Sequence, residues 1–213
     1  MQKIVVCTIL ILSSLALSNV NAAPEIMTFK SQTSSYVPDT TKDIIVDEGT
    51  VGFDMVGGWP ESTSQSGYWG YSYLVHARGT GKNQAIWNPV ITTKGDYELF
   101  IIYTPHSNRA TDATYTISAA NGTFKVIVNQ TQQETEWISL GTYTFNTDTT
   151  GKVVLTDLAD GIVVADAVAF VKRPDGASKQ WLESQNKPQS KPEITPTVSN
   201  TTSKSVTLQI PIH

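Results

Sequence analysis

Apolar side chains along this chain recur mostly at every second position, in short runs separated by Gly, Asn, Asp, Ser and Pro. That is the period of a strand with one face buried. The cleanest case lies in residues 106–130, where Tyr115, Ile117 and Ala119 alternate with Thr114, Thr116 and Ser118, and Phe124, Val126 and Val128 resume the pattern after Asn121-Gly122. Asn-Gly between two alternating runs predicts a hairpin with a type I′ turn, because both residues tolerate positive φ. Residues 96–104 differ. Tyr97, Leu99, Ile101 and Tyr103 share one face, but Phe100 and Ile102 on the other are apolar too, so this strand is expected to be covered on both sides. Runs at 43–47, 53–57, 74–77, 84–91, 137–146, 152–156 and 162–171 bring the set to about nine or ten strands, with turns at intervals of about 8–12 residues. No stretch of useful length has the period of an amphipathic helix. The pattern predicts an all-β fold, an antiparallel β-sandwich spanning residues 43–172, with a small closed barrel as the alternative.

The margins read differently. Lys3, the apolar residues from Ile4 to Leu17 and the triplet Val20-Asn21-Ala22 form the three parts of a secretory signal peptide over residues 1–22. The apolar run falls short of the ~20 residues a spanning helix needs, so no membrane insertion is expected after cleavage. Residues 23–42 are polar and aperiodic and read as a linker. Residues 173–213 read as a Pro/Ser/Thr-rich linker and tail, with a helical turn around 179–184 and renewed alternation at Val206, Leu208 and Ile210. That last run is a candidate strand for pairing with this domain or with a partner protein. The single cysteine, Cys7, leaves with the signal, so the exported domain must hold itself together by core burial. Fifteen basic residues face 19 acidic ones, a net charge of −4 that gives no support to nucleic-acid binding or to adhesion on an anionic membrane.

Candidate chemistry concentrates in residues 58–73, GWPESTSQSGYWGYSY, where five aromatic rings stand among glycines and serines without any period that would bury them all. Flat rings bind sugars because the C–H faces of a pyranose are apolar, while neighbouring hydroxyls and amides bond the sugar hydroxyls. Trp59, Tyr68, Trp69, Tyr71 and Tyr73 are therefore the candidate ligand-binding residues. Core burial is the commoner fate of any single ring, and the expectation is that at least one of the five is exposed. Arg109 is a further candidate, since its planar fork can grip the carboxylate of an acidic sugar; its structural alternative is to anchor its loop on backbone carbonyls or on Asp166. Asp47, Glu48, Asp157, Asp160 and Asp166 offer hard oxygen ligands for Ca²⁺, but their spacing matches no EF-hand loop and turn roles account for them, so no metal and no cofactor is assigned. No catalytic residue is assigned either: His76 and His106 are the histidines within the domain, no Gly-x-Ser-x-Gly elbow occurs, and no cysteine remains after export.

Six segments fall into a recognisable order: GTGKNQAIWNPVI, GDYELFIIYT, SNRATDATYTI, NGTFKVIVNQ, WISLGTYTF and ADGIVVADAVAFV. Residues 107–111 and Ala165-Asp166-Ala167-Val168 are the most specific of these. Together they resemble the carbohydrate-binding-like domain at the C-termini of golvesin and of bacterial xanthan lyases, over about residues 44–171. One departure is that Tyr103 stands where members of the family typically carry a tryptophan, two residues ahead of Pro105. The resemblance implies a secreted β-sandwich, of jelly-roll or galactose-binding-like type, usually appended to enzymes or other exocellular proteins, that binds polysaccharide. The expectation is thus a secreted module, extracellular or periplasmic, that is not an enzyme and binds polysaccharide or a cell-surface glycan, acting alone or recruiting a partner. The alternative is a structural or adhesive module that binds another protein. A hydrolase or lyase built on carboxylates paired only in space is a third and less expected reading.

Overall fold

The computed structural model describes residues 27–33, 36–132, 136–148 and 150–186. The expected signal peptide and the alternating run at 206–210 lie outside the described residues. In chain order the first strands are β1 (Met27–Lys30), β2 (Gln32–Thr33), β3 (Ile44–Val46), β4 (Phe53–Val56), β5 (Glu61–Ser62), β6 (Tyr73–His76) and β7 (Gln84–Trp87). They are followed by β8 (Gly95–Ile101), β9 (Ala113–Ala119), β10 (Gly122–Val128), β11 (Ile138–Phe145), β12 (Lys152–Thr156), β13 (Val163–Ala165) and β14 (Val168–Lys172). A helix, α1 (Ala177–Asn186), closes the series. No helix among the described residues is long and apolar enough to cross a membrane.

One sheet has six strands in the order β1-β10-β9-β12-β7-β4, and a second has five, β2-β11-β8-β14-β3; a small third sheet, β13-β6-β5, lies beside them. The two large sheets face each other as a sandwich and neither closes into a barrel. Trp87, Tyr115, Phe124 and Leu155 of the first sheet meet Leu99, Ile101, Tyr143 and Phe170 of the second in one buried cluster. At about 25 cal/mol per Å² of apolar surface, this layer is the main source of stability in a chain without disulfides. The expectation that residues 96–104 are covered on both sides holds: Phe100 and Ile102 join Trp137, Ala167, Ala169 and Val171 in a second cluster on the outer face of the five-stranded sheet, roofed by Tyr36, Ile45 and Trp69.

Three features differ from the sequence reading. The hairpin forms, but Gly122 pairs with Ala119, so Ala120 and Asn121 make the turn. Among the described residues only glycines have positive φ, which excludes a type I′ turn with Asn121 at its centre. Tertiary bonds set this turn instead: Ala120 N–H donates to Thr144 O at 2.7 Å and Thr144 N–H to Asn121 Oδ1 at 3.1 Å, tying the hairpin to β11. The apolar run at 162–171 is not one strand. It breaks at Asp166-Ala167, with β13 in the small sheet and β14 in the five-stranded one. Finally, the segments expected as linkers are partly structural. β1 lies parallel to β10, β2 pairs with β11, and α1 docks on the core through Trp181, whose ring meets Phe29 at 4.9 Å and Tyr143 at 5.2 Å.

Candidate functional site

Residues 58–73 carry the rings expected to touch ligand, and the fold turns most of them inward. Trp59 is 5% exposed, its Nε1 donates to Val56 O at 3.3 Å and its ring lies against His76. Tyr73 has no exposure at all; its hydroxyl accepts from Ser62 Oγ and from the Gln65 N–H, each at 3.2 Å. Tyr68 packs on Tyr73 with ring centres 5.7 Å apart, and Trp69 stands edge-on to Trp137 at 5.3 Å. The physical reason is that both the end of the sandwich and the outer face of the five-stranded sheet need apolar cover, and these rings supply it. Buried Trp59 and Tyr73 present no face for stacking, which corrects their place among the candidate binding residues. Tyr71 alone of the five is fully outside, at 95% exposure. Tyr71 stands in the turn that Gly70 enters with a φ of 68°, before β6 begins at Tyr73, so strand alternation does not tie the two rings to one side.

Arg109 is likewise buried, at 8% exposure. Its Nε donates to Thr104 O at 3.4 Å and its Nη2 to the Tyr73 hydroxyl at 3.5 Å, with the guanidinium 5.9 Å from the Tyr73 ring centre. The anchoring role matches one of the two sequence alternatives, with a carbonyl rather than Asp166 as partner. A buried fork spent on backbone and phenol is not available to an acidic sugar.

Tyr71 lines a cleft of about 730 Å³. Its walls are Phe53, Asp54 and Met55 of β4, Glu61 of β5, and Gly70, Tyr71 and Ser72 from the loop; Asp47 and Glu48 at the end of β3 form its base with Leu74. The Cβ of any other residue at position 70 would fall 2.3 Å from Asp47 Oδ2, so Gly70 also keeps the loop down against the acidic base. Beneath lies an acidic centre, in which Asp47, Glu48 and Asp166 each bring a carboxylate oxygen within 4.8 Å of the others. Asp166 accepts from the Trp69 N–H at 3.2 Å and the Ala167 N–H at 2.8 Å. Ser72 Oγ donates to Glu48 Oε1 at 2.8 Å, while Glu48 Oε2 is closed off from solvent and accepts no hydrogen bond. Burial, then the charge of Glu48, pushes the Asp166 carboxyl up to about 9; burial and the Glu48 carboxyl push Asp47 up to about 8. Three hard oxygens so close together are the donor set by which this region would hold a divalent cation, if it held one. Asp157 and Asp160 do not join them. Asp157 caps the turn at Gly81 and Asn83, and Asp160 holds Thr111, so both have the turn roles expected of them.

The sequence reading missed Phe53, Met55, Asp54 and Glu61. The available signals were the single acid of β4, Asp54, between Phe53 and Met55, and Glu61 within the aromatic loop.

A family model, the Golvesin C-terminal domain, matches residues 44–172, which take in β3 to β14 and the whole cleft. A xanthan lyase of Bacillus sp. (strain GL1) is 30% identical over 139 residues, covering 63% of this chain and 15% of that protein. The solved structure of a Paenibacillus xanthan lyase superposes with a TM-score of 0.60 at 34% identity, over 62% of this chain and 13% of that one. The similarity therefore concerns a small part of each lyase.

Proposed function

Because this chain belongs to the Golvesin C-terminal domain family, we propose that it is an exported, non-catalytic module that binds polysaccharide or a cell-envelope glycan in the cleft beneath Tyr71. The observation that carries this reading is the ring of Tyr71, 95% exposed at the edge of a cleft that also offers the exposed carboxyl groups of Asp54 and Glu61. A ring beside acidic oxygens suits a sugar, whose C–H face stacks while its hydroxyls bond at the sides. Relatedness to part of a xanthan lyase supports a carbohydrate ligand. A glycan array on the mature protein tests the reading. Binding should be detected, and Tyr71→Ala should weaken it about tenfold, the loss of a contact worth about 1.4 kcal/mol. Equal binding by the variant would remove the cleft from consideration, and release of sugar fragments by the purified protein would refute the non-catalytic part.

A second reading, attachment to another protein by strand addition, is favoured by β4. This strand is terminal in its sheet, with Met55 and Val56 each 48% exposed. A complex that dissolves with Val56→Pro yet survives Tyr71→Ala would support it.

A further inference from the structure

The lining of the cleft is one-sided in charge. Asp54, Glu61 and Glu48 bring acidic groups to it, the Asp47 carboxyl, pushed up to about 8 by burial, adds an oxygen rather than a charge near pH 6, and no Lys, Arg or His is among the residues that line it. Asp54 and Glu61 are exposed, on β4 and β5 respectively, so they face whatever enters. Asp54 has one oxygen engaged by the Met55 N–H at 2.8 Å, and the remaining apolar surface comes from Phe53, Met55 and Tyr71. Arg109, the basic side chain nearest in sequence logic to sugar recognition, is spent on Thr104 and Tyr73.

From this we infer that the cleft selects sugars bearing a free amine and rejects sugars bearing a carboxylate. The inference rests on the glycan-binding reading above and adds the ligand's charge to it. A uronate entering the cleft would lose hydration beside like charges with no cation to receive it, and that cost rises as water is excluded. A sugar ammonium is a compact charge with three donors and no acceptor, which suits a site offering carboxylate oxygens from more than one direction. The apolar wall takes the C–H face of the same ring. Neutral sugars can stack on Tyr71 but leave the carboxylates to water, so they rank between the two.

The test is titration calorimetry of the mature protein, in EDTA at about pH 6 where a sugar amine is charged, against three oligosaccharides of equal length: glucosamine, glucose and a uronate. The glucosamine oligomer should bind at least tenfold more tightly than the glucose oligomer, with the uronate undetected. Glu61→Gln should weaken glucosamine binding severalfold, whereas Glu183→Gln, the same charge change on the exposed face of α1, should leave it as it is. If glucose or uronate binds as well as glucosamine and Tyr71→Ala abolishes that binding, glycan recognition stands and the charge selection is wrong. If Glu183→Gln weakens binding as much as Glu61→Gln, the attraction belongs to the whole molecule and the inference fails. If none of the three binds to protein shown folded by its melting transition, the glycan reading falls and takes this inference with it.

Discussion

Asp166 interrupts an otherwise apolar run between Val163 and Val171 and is 1% exposed, so its carboxyl must either stay protonated or find compensation. Two backbone N–H groups supply part of it, yet burial and the neighbouring Glu48 and Asp47 still push it up to about 9, as burial and Glu48 push Asp47 up to about 8. In the unfolded chain both would ionise near the ordinary value of 3.8. Between about pH 4 and pH 9 the folded protein therefore holds protons that the unfolded chain has lost. Stability should fall as pH rises through that window, by at most about 1.4 kcal/mol per unit for each group, and level off above it. Asp166→Asn keeps an oxygen for the Trp69 and Ala167 N–H groups and removes the ionisation. The variant should match the parent near pH 4 and exceed it at pH 8 by about 1–3 kcal/mol in urea denaturation; an unchanged pH slope would show that another group sets the dependence. Sequence alone identified Asp166 as an acid in need of a partner, and named Asp47 and Glu48, but could not bring them together because the three meet only where the ends of β3 and β13 converge. The same limit applied to the rings. Tyr71 and Tyr73 have the same parity along the chain, but Tyr71 belongs to a turn and Tyr73 to β6, a boundary that the aperiodic loop does not mark.

At the scale of elements, β11 and α1 are fitted to each other through a defect. The pairing of β11 with β8 slips between Ser139 and Gly141, and Gly141 has φ of 107°. A bulge of this kind leaves a gap in the pleated surface, and Trp181 fills it, with its Cζ2 only 2.2 Å from where a Cβ on residue 141 would sit. Gly141→Ala should therefore cost about 2–4 kcal/mol, from positive φ and from expulsion of the indole. Trp181→Ala should cost about 2–3 kcal/mol, the low end for a tryptophan because this one is only partly buried. Both act on the same contact. The double variant should then cost clearly less than the two single costs together, and strict additivity in a denaturation cycle would show that Gly141 is needed for its backbone alone. Long alternating strands such as β9 and β10 were legible because period and burial coincide within seven residues. By contrast, α1 has Trp181 and Leu182 as its large apolar side chains, too few for a helical stripe, and β1 offers only Met27 and Phe29. Both owe their conformation to packing on distant parts of the chain, which a local pattern does not record.

For the molecule as a whole, the consequence is that the alternating region at 43–172 is less than the stable unit. The five-stranded sheet is apolar on both faces, and its outer cover is assembled from outside that region as well as within it. Tyr36 stacks on Phe100 at 5.0 Å, and Arg173 lies over the Tyr36 ring at 4.9 Å while pairing with Glu98 at 2.7 Å. On the inner side, Phe29 and Trp181 extend the main cluster beyond Phe124 and Tyr143. A protein limited to residues 43–172 would lose β1, β2, Tyr36, Arg173 and α1 together, leaving Phe100 open to water and the outer edge of β10 unpaired. Each large ring so exposed costs about 1.5–3 kcal/mol, and in a domain of this size a loss of a few kcal/mol lowers the melting temperature by about 10 °C or more. The open edge of β10 would in addition promote association between copies. A protein of residues 27–186 retains all these contacts. Melting curves and size-exclusion profiles of the two, recorded side by side, should show the longer one monodisperse with the higher transition. Equal transitions would mean that the outer elements add contacts without adding stability, and that the pattern of alternation had marked the folding unit after all.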